Sequence, residues 1–523
     1  MAIGGIFVNG RKRRHAVWAA LLGLPFLGWL SQRIDLDLWN DEIESLAQYT
    51  FISPLQTLLH YQNTNNHIFF NLINSVLLLP CRATLGIDLG TLMRHPWLIR
   101  LIPLAYTALV FVALYAIAVR FLDRESALAA VIFLAASIPF YNYCLQIRGY
   151  ILSMLLLSLL VFFLWSNAGR RDLRAVAVCA ALLVYTLPTN ALFICGLGLA
   201  NLCPMAPESP TARTGYLKGI AALGAGSLLG FLAYVPPLLC HPLPAKGNSV
   251  ADYFRTGWSF RPAAFRAVAG GVGKAFVSDQ WLLAAGVVLA CLIVLFRRSP
   301  PVVRLRGKFL RLAIALLTPA GLLGLFGLDG EFDLRLFSVA APLFALWFAT
   351  SFALVREGIP VLKRAPRVLI VVLFVYCNAC FYLSYEAMEQ HALADIAGGK
   401  RSQGLSQNFY LSRYCISDTM ARLHELRRKD PLPVFLYRHG GTGTEAYLRE
   451  YGIPFTGRAD YQIEFADFKS LLDHLPRAYV VTLYPNAFAA VVLGKLPEYR
   501  FTRVNPQPDY HSLFLLERGD EGR

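Results

Sequence analysis

Leu38-Trp39-Asn40-Asp41-Glu42 sets two adjacent carboxylates just beyond an apolar run, Ala16 to Leu30, which itself follows the basic cluster Arg11-Lys12-Arg13-Arg14. An apolar run behind a cluster of cations reads as a membrane helix with a cytoplasmic N-terminus, which places the 38–42 stretch outside. Carboxylates near hydrocarbon are costly unless they face water, a partner or a substrate. Two readings fit the pair. Asn40 is a good N-cap and acids in a first turn complement the helix dipole, so Asn40, Asp41, Glu42 and Glu44 can simply start a helix. The same carboxylates also suit chemistry at the outer membrane surface, and the rest of the chain has to weigh the two.

The 523 residues are 56% hydrophobic and 16% charged, with a mean hydropathy of +0.48. That is too apolar for a soluble globular protein and describes a polytopic α-helical membrane protein. The net charge of +16 lies mostly in short loops between apolar runs, where it orients helices, and nucleic acid is disfavoured as a partner. The cysteines lie mostly inside apolar stretches, so no disulfide framework or thiolate metal site is spelled out. Cys377 and Cys380 form a C-x-x-C within one such run and read as small core residues. The Ala16 to Leu30 run lacks a small-residue cleavage site and is kept as an uncleaved helix.

Outward from the carboxylate pair, residues 32–97 form the first external loop. From Ile43 the spacing of Ile43, Leu46, Ala47, Phe51, Leu55, Leu58 and Leu59 predicts an amphipathic helix lying on the membrane. A second juxtamembrane helix runs from about Asn66 to Leu79 and ends at Pro80, with His67, Asn71 and Asn74 along one face. The spans then alternate with loops whose charges give one threading: Trp97 to Val119, Ala127 to Tyr143, Tyr150 to Trp165, and Ala175 to Leu202, the last broken at Pro188-Thr189-Asn190 into two short helices. Ile220 to Leu239 leads to a long external loop, 241–280, which reads as a lid or binding element. Trp281 to Phe296, Ala313 to Leu328, Leu336 to Leu354 and Val368 to Leu383 complete about eleven spans and leave the C-terminus outside.

The expected division is therefore a transmembrane domain over 1–385 and a small external α/β domain over 386–523. In the latter, Pro433 to Tyr437, Ala478 to Leu483 and Ser512 to Leu516 read as strands and Thr444 to Tyr451 as a helix. The turn Arg438-His439-Gly440-Gly441-Thr442-Gly443 is read first as a tight turn and second as a phosphate or sugar contact.

Several polar features fall on the outer side of this threading: Asp41 and Glu42, the His67-Asn71-Asn74 stripe, Gln146-Ile147-Arg148-Gly149-Tyr150, Pro188-Thr189-Asn190, and Arg335 beside the acidic turn Asp329 to Asp333. External Arg148 and Arg335 run against the positive-inside trend. The bland account is that each snorkels to headgroups or pairs with a nearby acid, such as Asp333 for Arg335. His67 reads first as a hydrogen-bonded structural residue and second as a phosphate, acceptor or metal contact, and Asp329, Glu331 and Asp333 read first as an exposed turn and second as ligands of a divalent cation.

Taken in order, these motifs resemble the GT-C membrane glycosyltransferases. The series is the Asp-Glu pair, Asn65-Asn66-His67, Trp97-Leu98-Ile99-Arg100-Leu101-Ile102-Pro103, Gln146 to Tyr150, and Arg335-Leu336-Phe337 with Pro342. More narrowly it is similar to the bacterial family 39-like group, with its aminoarabinose transferases and relatives of protein O-mannosyltransferases. The family's Arg-Tyr is replaced here by Arg335-Leu336. The resemblance implies a bacterial inner-membrane enzyme that moves a sugar from a polyprenyl-phosphate carrier to an envelope lipid, glycan or protein on the periplasmic face, with inversion. Asp41 would be the base and Glu42 would orient the acceptor or hold a metal. Arg335, Arg148 and His67, with Asn66 and Tyr150 beside them, would bind substrate or phosphate. The cofactor stays unknown, a divalent cation being the candidate. Other classes remain open: a transporter or flippase of a lipid-linked substrate, against which the absence of a clear internal repeat counts, and a non-catalytic membrane scaffold.

Overall fold

The apolar runs form helices whose ends follow local chemistry, and several break where proline removes a backbone donor. The computed structural model describes residues 21, 23–60, 66–165, 172–202, 210–240, 270, 276, 281–325, 335–397, 416–437, 442–456, 470, 472, 475–482, 488, 494, 496–504 and 512–519. The long loop at 241–280 thus lies almost wholly outside the described residues, as does the acidic turn 329–333. Among the described residues, four helices are long and apolar enough to cross a membrane: Ile68–Leu85, Pro96–Phe121, Thr214–Cys240 and Pro366–Met388. Leu109, Val112, Leu228, Val372 and Val375 on three of them are at least half exposed, the mark of surfaces turned toward lipid. The chain is a membrane protein.

It folds into two units. One comprises Met1–Ser31, Ser53–Val76 and Arg100–Tyr385, the other Gln32–Ile52, Leu77–Ile99 and Glu386–Arg523. In the first unit, Pro96–Phe121, Tyr150–Trp165, Leu173–Thr186 and Trp281–Phe296 lie close to their expected places. The expected Ala127 to Tyr143 span is instead two helices, Arg124–Ala135 and Ile138–Tyr143. Pro139 starts the second, and the Ser137 hydroxyl caps it by accepting from the Phe140 amide at 3.4 Å. The Leu336 to Leu354 span likewise divides, into Arg335–Ser338 and Ala341–Gly358 with Pro342 in the opening turn. At Pro188 the expected break occurs as a single 3-10 turn, Pro188–Asn190.

Close helix contact in this unit depends on small residues. An added Cβ at Gly226 would stand 2.2 Å from the Ala177 carbonyl, and one at Gly230 2.6 Å from that of Ala181. The pair is a small-x-x-x-small face against which Leu173–Thr186 lies nearly backbone to backbone. Polar contacts tie the helix ends together: Asp123 with Arg356, Lys308 with the Phe121 carbonyl, Trp165 with Asn201, Tyr141 with the Trp29 carbonyl, Tyr234 with the Tyr185 carbonyl, and Asn190 with Ser153.

Two expectations in the first external loop are corrected. The amphipathic helix from Ile43 is not continuous: a short helix, Asn40–Glu44, passes into a π-helical turn, Ser45–Thr50, and a new helix, Pro54–Leu59, begins after it. Pro54 disfavours helix at Ser53, which instead caps the new helix by accepting from Gln56 N at 3.2 Å. The second helix does not stop at Pro80 but runs from Ile68 to Leu85. Pro80 brings no N–H to the Val76 carbonyl, yet the helix continues past it, with Thr84 Oγ1 making an i−4 back-bond to the Pro80 carbonyl at 2.8 Å.

The second unit carries a four-stranded sheet in the order β1-β2-β4-β3, with β1 Val434–Leu436, β2 Arg477–Thr482, β3 Tyr499–Arg503 and β4 Ser512–Arg518. β1 and β2 are parallel and the other pairs antiparallel. Phe435, Tyr437, Val480, Phe488, Phe514 and Leu516 form its core. β3 and the helix Ile416–Lys429 were not expected. The helix announces itself by buried Ile416, Thr419, Met420 and Leu423 at helical spacing. β3, Tyr-Arg-Phe-Thr-Arg, alternates as an edge strand does.

Candidate functional site

Each unit carries its own group of expected site residues. In the first, His67 immediately precedes the Ile68–Leu85 helix, whose fourth residue, Asn71, donates its backbone N–H to the His67 carbonyl at 2.9 Å. The Asn66 amide oxygen accepts from the Asn71 side chain at 2.9 Å and its nitrogen donates to the His60 carbonyl. Asn66, His67, Asn71 and Asn74 are each no more than 2% exposed, so the sequence stripe is an inward face. Neither polar atom of the Asn74 amide has a hydrogen-bond partner among the described residues.

The Gln146 to Tyr150 turn closes on this face. Gly149 N–H donates to His67 Nδ1 at 3.2 Å, and Arg148 Nη2 lies 3.4 Å from His67 Nε2. The Tyr150 ring stands edge-on to the imidazole at 5.2 Å and beneath the Arg148 guanidinium at 5.3 Å. Since Nδ1 accepts from the Gly149 amide, it holds a lone pair and the ring proton is assigned to Nε2. An imidazole N–H and a guanidinium N–H then stand side by side, two donors that do not bond each other and that together suit an oxyanion. Arg148 is 2% exposed and Tyr150 4%. Gly149 is required by contact: an added Cβ would stand 2.6 Å from His67 Nδ1 and 2.8 Å from Thr186 Cγ2.

Asn190, from the Pro188 break, donates to Ser153 Oγ and to the Leu183 carbonyl, both at 2.9 Å, and so ties that break to the helix Tyr150 begins. Arg335 opens the short helix Arg335–Ser338, which packs against Ile138–Tyr143 and Tyr150–Trp165; its side chain lies outside the described residues. The unit therefore brings the backbone of Arg335 and the side chains of Asn66, His67, Arg148 and Tyr150 to one end of the same few helices. Arg100, quoted in sequence only as part of a motif, is fully buried in Pro96–Phe121. A buried cation in an apolar helix is a functional candidate, and this position inside a spanning run was its signal.

In the second unit Asp41 is half-buried and Glu42 is 1% exposed. The expected N-cap is corrected: the cap of Asn40–Glu44 is Trp39, in extended backbone, and Asn40 is the first helical residue. Glu42 Oε2 accepts from Trp39 N–H at 2.9 Å, so this carboxylate is engaged in starting its own helix. Asn40 caps a different helix. Its Oδ1 accepts from Gly443 N–H at 2.7 Å, in the first turn of Thr442–Glu450. Asp37 does the same for Ile416–Lys429, its Oδ2 accepting from Ser417 N at 2.8 Å and Ser417 Oγ at 2.7 Å. In return, Tyr447 Oη accepts from Leu38 N–H at 3.1 Å. The Gly443 amide, considered as an anion contact, is thus held by Asn40, and 438–441 lie outside the described residues. Burial first, then the carboxylates of Asp37, Asp418 and Glu450, raise the Tyr451 phenol above its ordinary value.

Among the described residues no group of three or more His, Cys, Asp or Glu gathers in a way that could hold a metal ion. The residues present offer hydrogen-bond donors for an anion and, at Asp41, a half-buried carboxylate in the first turn of Asn40–Glu44.

No family model matches the sequence, and no curated protein does. Solved structures do. ArnT from Cupriavidus metallidurans in the apo state aligns with a TM-score of 0.54 at 14% identity, over 96% of this chain and 98% of that one. The same protein bound to undecaprenyl phosphate aligns at 0.50 and 12%, over 95% and 98%. The Archaeoglobus fulgidus oligosaccharyltransferase in complex with Zn and sulfate aligns at 0.43 and 12%, over 94% and 72%. With ArnT the likeness runs through nearly the whole of both chains, and the fold of this chain is the GT-C fold.

Proposed function

We propose that the chain is an inverting glycosyltransferase of a bacterial inner membrane that uses a polyprenyl-phosphate-linked sugar and delivers it, on the periplasmic face, to an envelope lipid, glycan or protein. The observation that carries this reading is the full-length likeness to ArnT, a protein whose structure is known with undecaprenyl phosphate bound. The His67 and Arg148 donors supply the chemistry such a carrier needs.

A sugar phosphate already contains a good leaving group, so the protein must supply a base for the acceptor and cations for the departing phosphate. Asp41 takes the proton of the acceptor hydroxyl or amine as that atom forms a bond to the anomeric carbon. The bond from that carbon to the phosphate oxygen breaks on the opposite face, its electron pair leaves with the polyprenyl phosphate, and configuration inverts. Arg148 and Arg335 neutralise the phosphate as charge grows on it, and His67 Nε2–H donates to one of its oxygens. Asn66 braces the start of the helix after His67 through Asn71, and Tyr150 fixes the Arg148 plane. Glu42 shapes the helix start rather than handling a proton. On this reading the chain threads about eleven spans with a cytoplasmic N-terminus, a transmembrane domain over 1–385 and a periplasmic domain over 386–523.

The test is Asp41→Asn in the full chain, judged by sugar transfer from polyprenyl-phosphate pentoses and hexoses to envelope membranes of a strain lacking this chain. Loss of transfer with normal insertion is expected, and retained transfer removes Asp41 as base. Movement of the same lipids across vesicles without transfer would favour a flippase instead.

A further inference from the structure

Three of the four residues before Asp41 are held by two helices from the far end of the chain. Asp37 accepts from Ser417 at the start of Ile416–Lys429, Leu38 donates to Tyr447, and Asn40 accepts from Gly443 at the start of Thr442–Glu450. The Leu38–Tyr447 bond is buried, where it is worth most, and the Asp37–Ser417 and Asn40–Gly443 bonds are part-buried. Trp39, the remaining residue, has its amide held by Glu42. Every residue from 37 to 40 is therefore fixed by a polar contact that sets the direction in which the chain delivers Asp41. The contacts are also reciprocal. The loop caps two helices, and one of those helices returns a hydroxyl to the loop.

Asn40–Glu44 and the π-helical turn Ser45–Thr50 that continues it form a helical run still too short to be stable in isolation. Capping two longer helices in the other direction gives it its orientation. Replacing any one of these acceptors leaves a first-turn amide unsatisfied and frees the loop on the same stroke.

We infer that Asp37, Asn40, Ser417 and Tyr447 are positioning residues for Asp41, and that the C-terminal helices Ile416–Lys429 and Thr442–Glu450 act as a clamp that aims its carboxylate. This rests on the reading of Asp41 as the base. A misaimed base costs turnover while leaving the lipid-linked donor's own contacts in place, so the signature is a fall in kcat at nearly constant KM.

The experiment compares Asn40→Ala, Asn40→Asp, Tyr447→Phe, Ser417→Ala and Asp41→Asn in the purified full chain, with polyprenyl-phosphate pentoses and hexoses as donors and envelope membranes as acceptor. Asn40→Ala is expected to lower kcat about 10- to 100-fold with donor KM within about twofold, and Asn40→Asp, which keeps an acceptor oxygen for Gly443, to restore kcat to within about threefold of the parent. Hydrogen exchange over 37–43 rises in Asn40→Ala and returns in Asn40→Asp. If Asp41→Asn is inactive while Asn40→Ala and Tyr447→Phe keep full kcat, the clamp is overturned and the base reading stands. If Asp41→Asn stays active, the base reading fails and the clamp falls with it. If Asn40→Ala lowers kcat and Asn40→Asp gives no recovery, the cap to Gly443 is not what positions Asp41, and the inference is overturned.

Discussion

Arg356 closes on Asp123 with paired hydrogen bonds, Nη1 to Oδ1 at 3.1 Å and Nη2 to Oδ2 at 2.9 Å, across 233 residues of sequence. The same carboxylate caps Arg124–Ala135 through Ser126 N at 3.0 Å. One side chain thus starts the helix Arg124–Ala135 and receives the last turn of Ala341–Gly358. Asp123→Ala removes both functions and leaves Arg356, 11% exposed along its side chain, without its bidentate partner. A loss of about 2 kcal/mol is expected, less than for a fully buried pair because Asp123 is one-third exposed, and thermal unfolding in detergent measures it.

Acid should release the same contact. Burial raises the Asp123 carboxyl, but hydrogen bonds from Arg356 and Ser126 outweigh it and hold the group below its ordinary value. A depressed carboxyl stabilises the fold fully above its unfolded value of about 3.9 and loses that contribution as pH falls through the lower folded value. Stability of the parent should therefore drop below about pH 4, and Asp123→Ala should show a smaller drop over that window.

Gly149→Ala is expected to cost about 1–3 kcal/mol, because the new methyl must displace either the imidazole or Thr186. Moving the imidazole also breaks the bond that sets its tautomer, so sugar transfer should fall about 100-fold even where the protein inserts normally. Transfer assays beside detergent melting separate the two effects.

Glu42→Gln and Glu42→Ala should differ. Glutamine keeps an oxygen that can accept from Trp39 N–H, whereas alanine does not, and a cost of about 1 kcal/mol is expected for alanine alone. Melting temperatures of the purified variants provide the comparison.

Gly230→Leu should be among the most damaging single changes. Its side chain would have to enter space taken by the Ala181 carbonyl and Val184, and separating the two helices is expected to cost about 3 kcal/mol. Yield of folded protein after extraction reports it.

The spans were legible because length and apolarity act locally, and the Tyr150–Trp165 and Trp281–Phe296 helices follow their apolar runs directly. Their breaks were less legible because proline acts according to place. Pro54, Pro139 and Pro342 stand in opening turns and begin new helices, while Pro80 lies within a helix that continues past it. The His67 stripe was readable from spacing alone, yet its closure by Gly149 was not, since nothing in a sequence says which turn will come within contact of which face. Asn40 shows the limit most clearly. Its chemistry as a cap was evident, but the amide it caps, that of Gly443, lies 403 residues later.

That separation has a consequence for how the chain is made. Leu38 emerges 409 residues ahead of Tyr447, and at about 5–20 residues per second the ribosome needs roughly 20–80 s to cover that distance. For most of that interval the 37–42 stretch has neither of its helices to cap, and for all of it no hydroxyl for the Leu38 amide. The newly inserted protein can complete its membrane helices during translation, but this stretch acquires its final bonds only when the last part of the chain has folded. A ribosome that stalls early leaves inserted helices without the two later helices that hold residues 37–40.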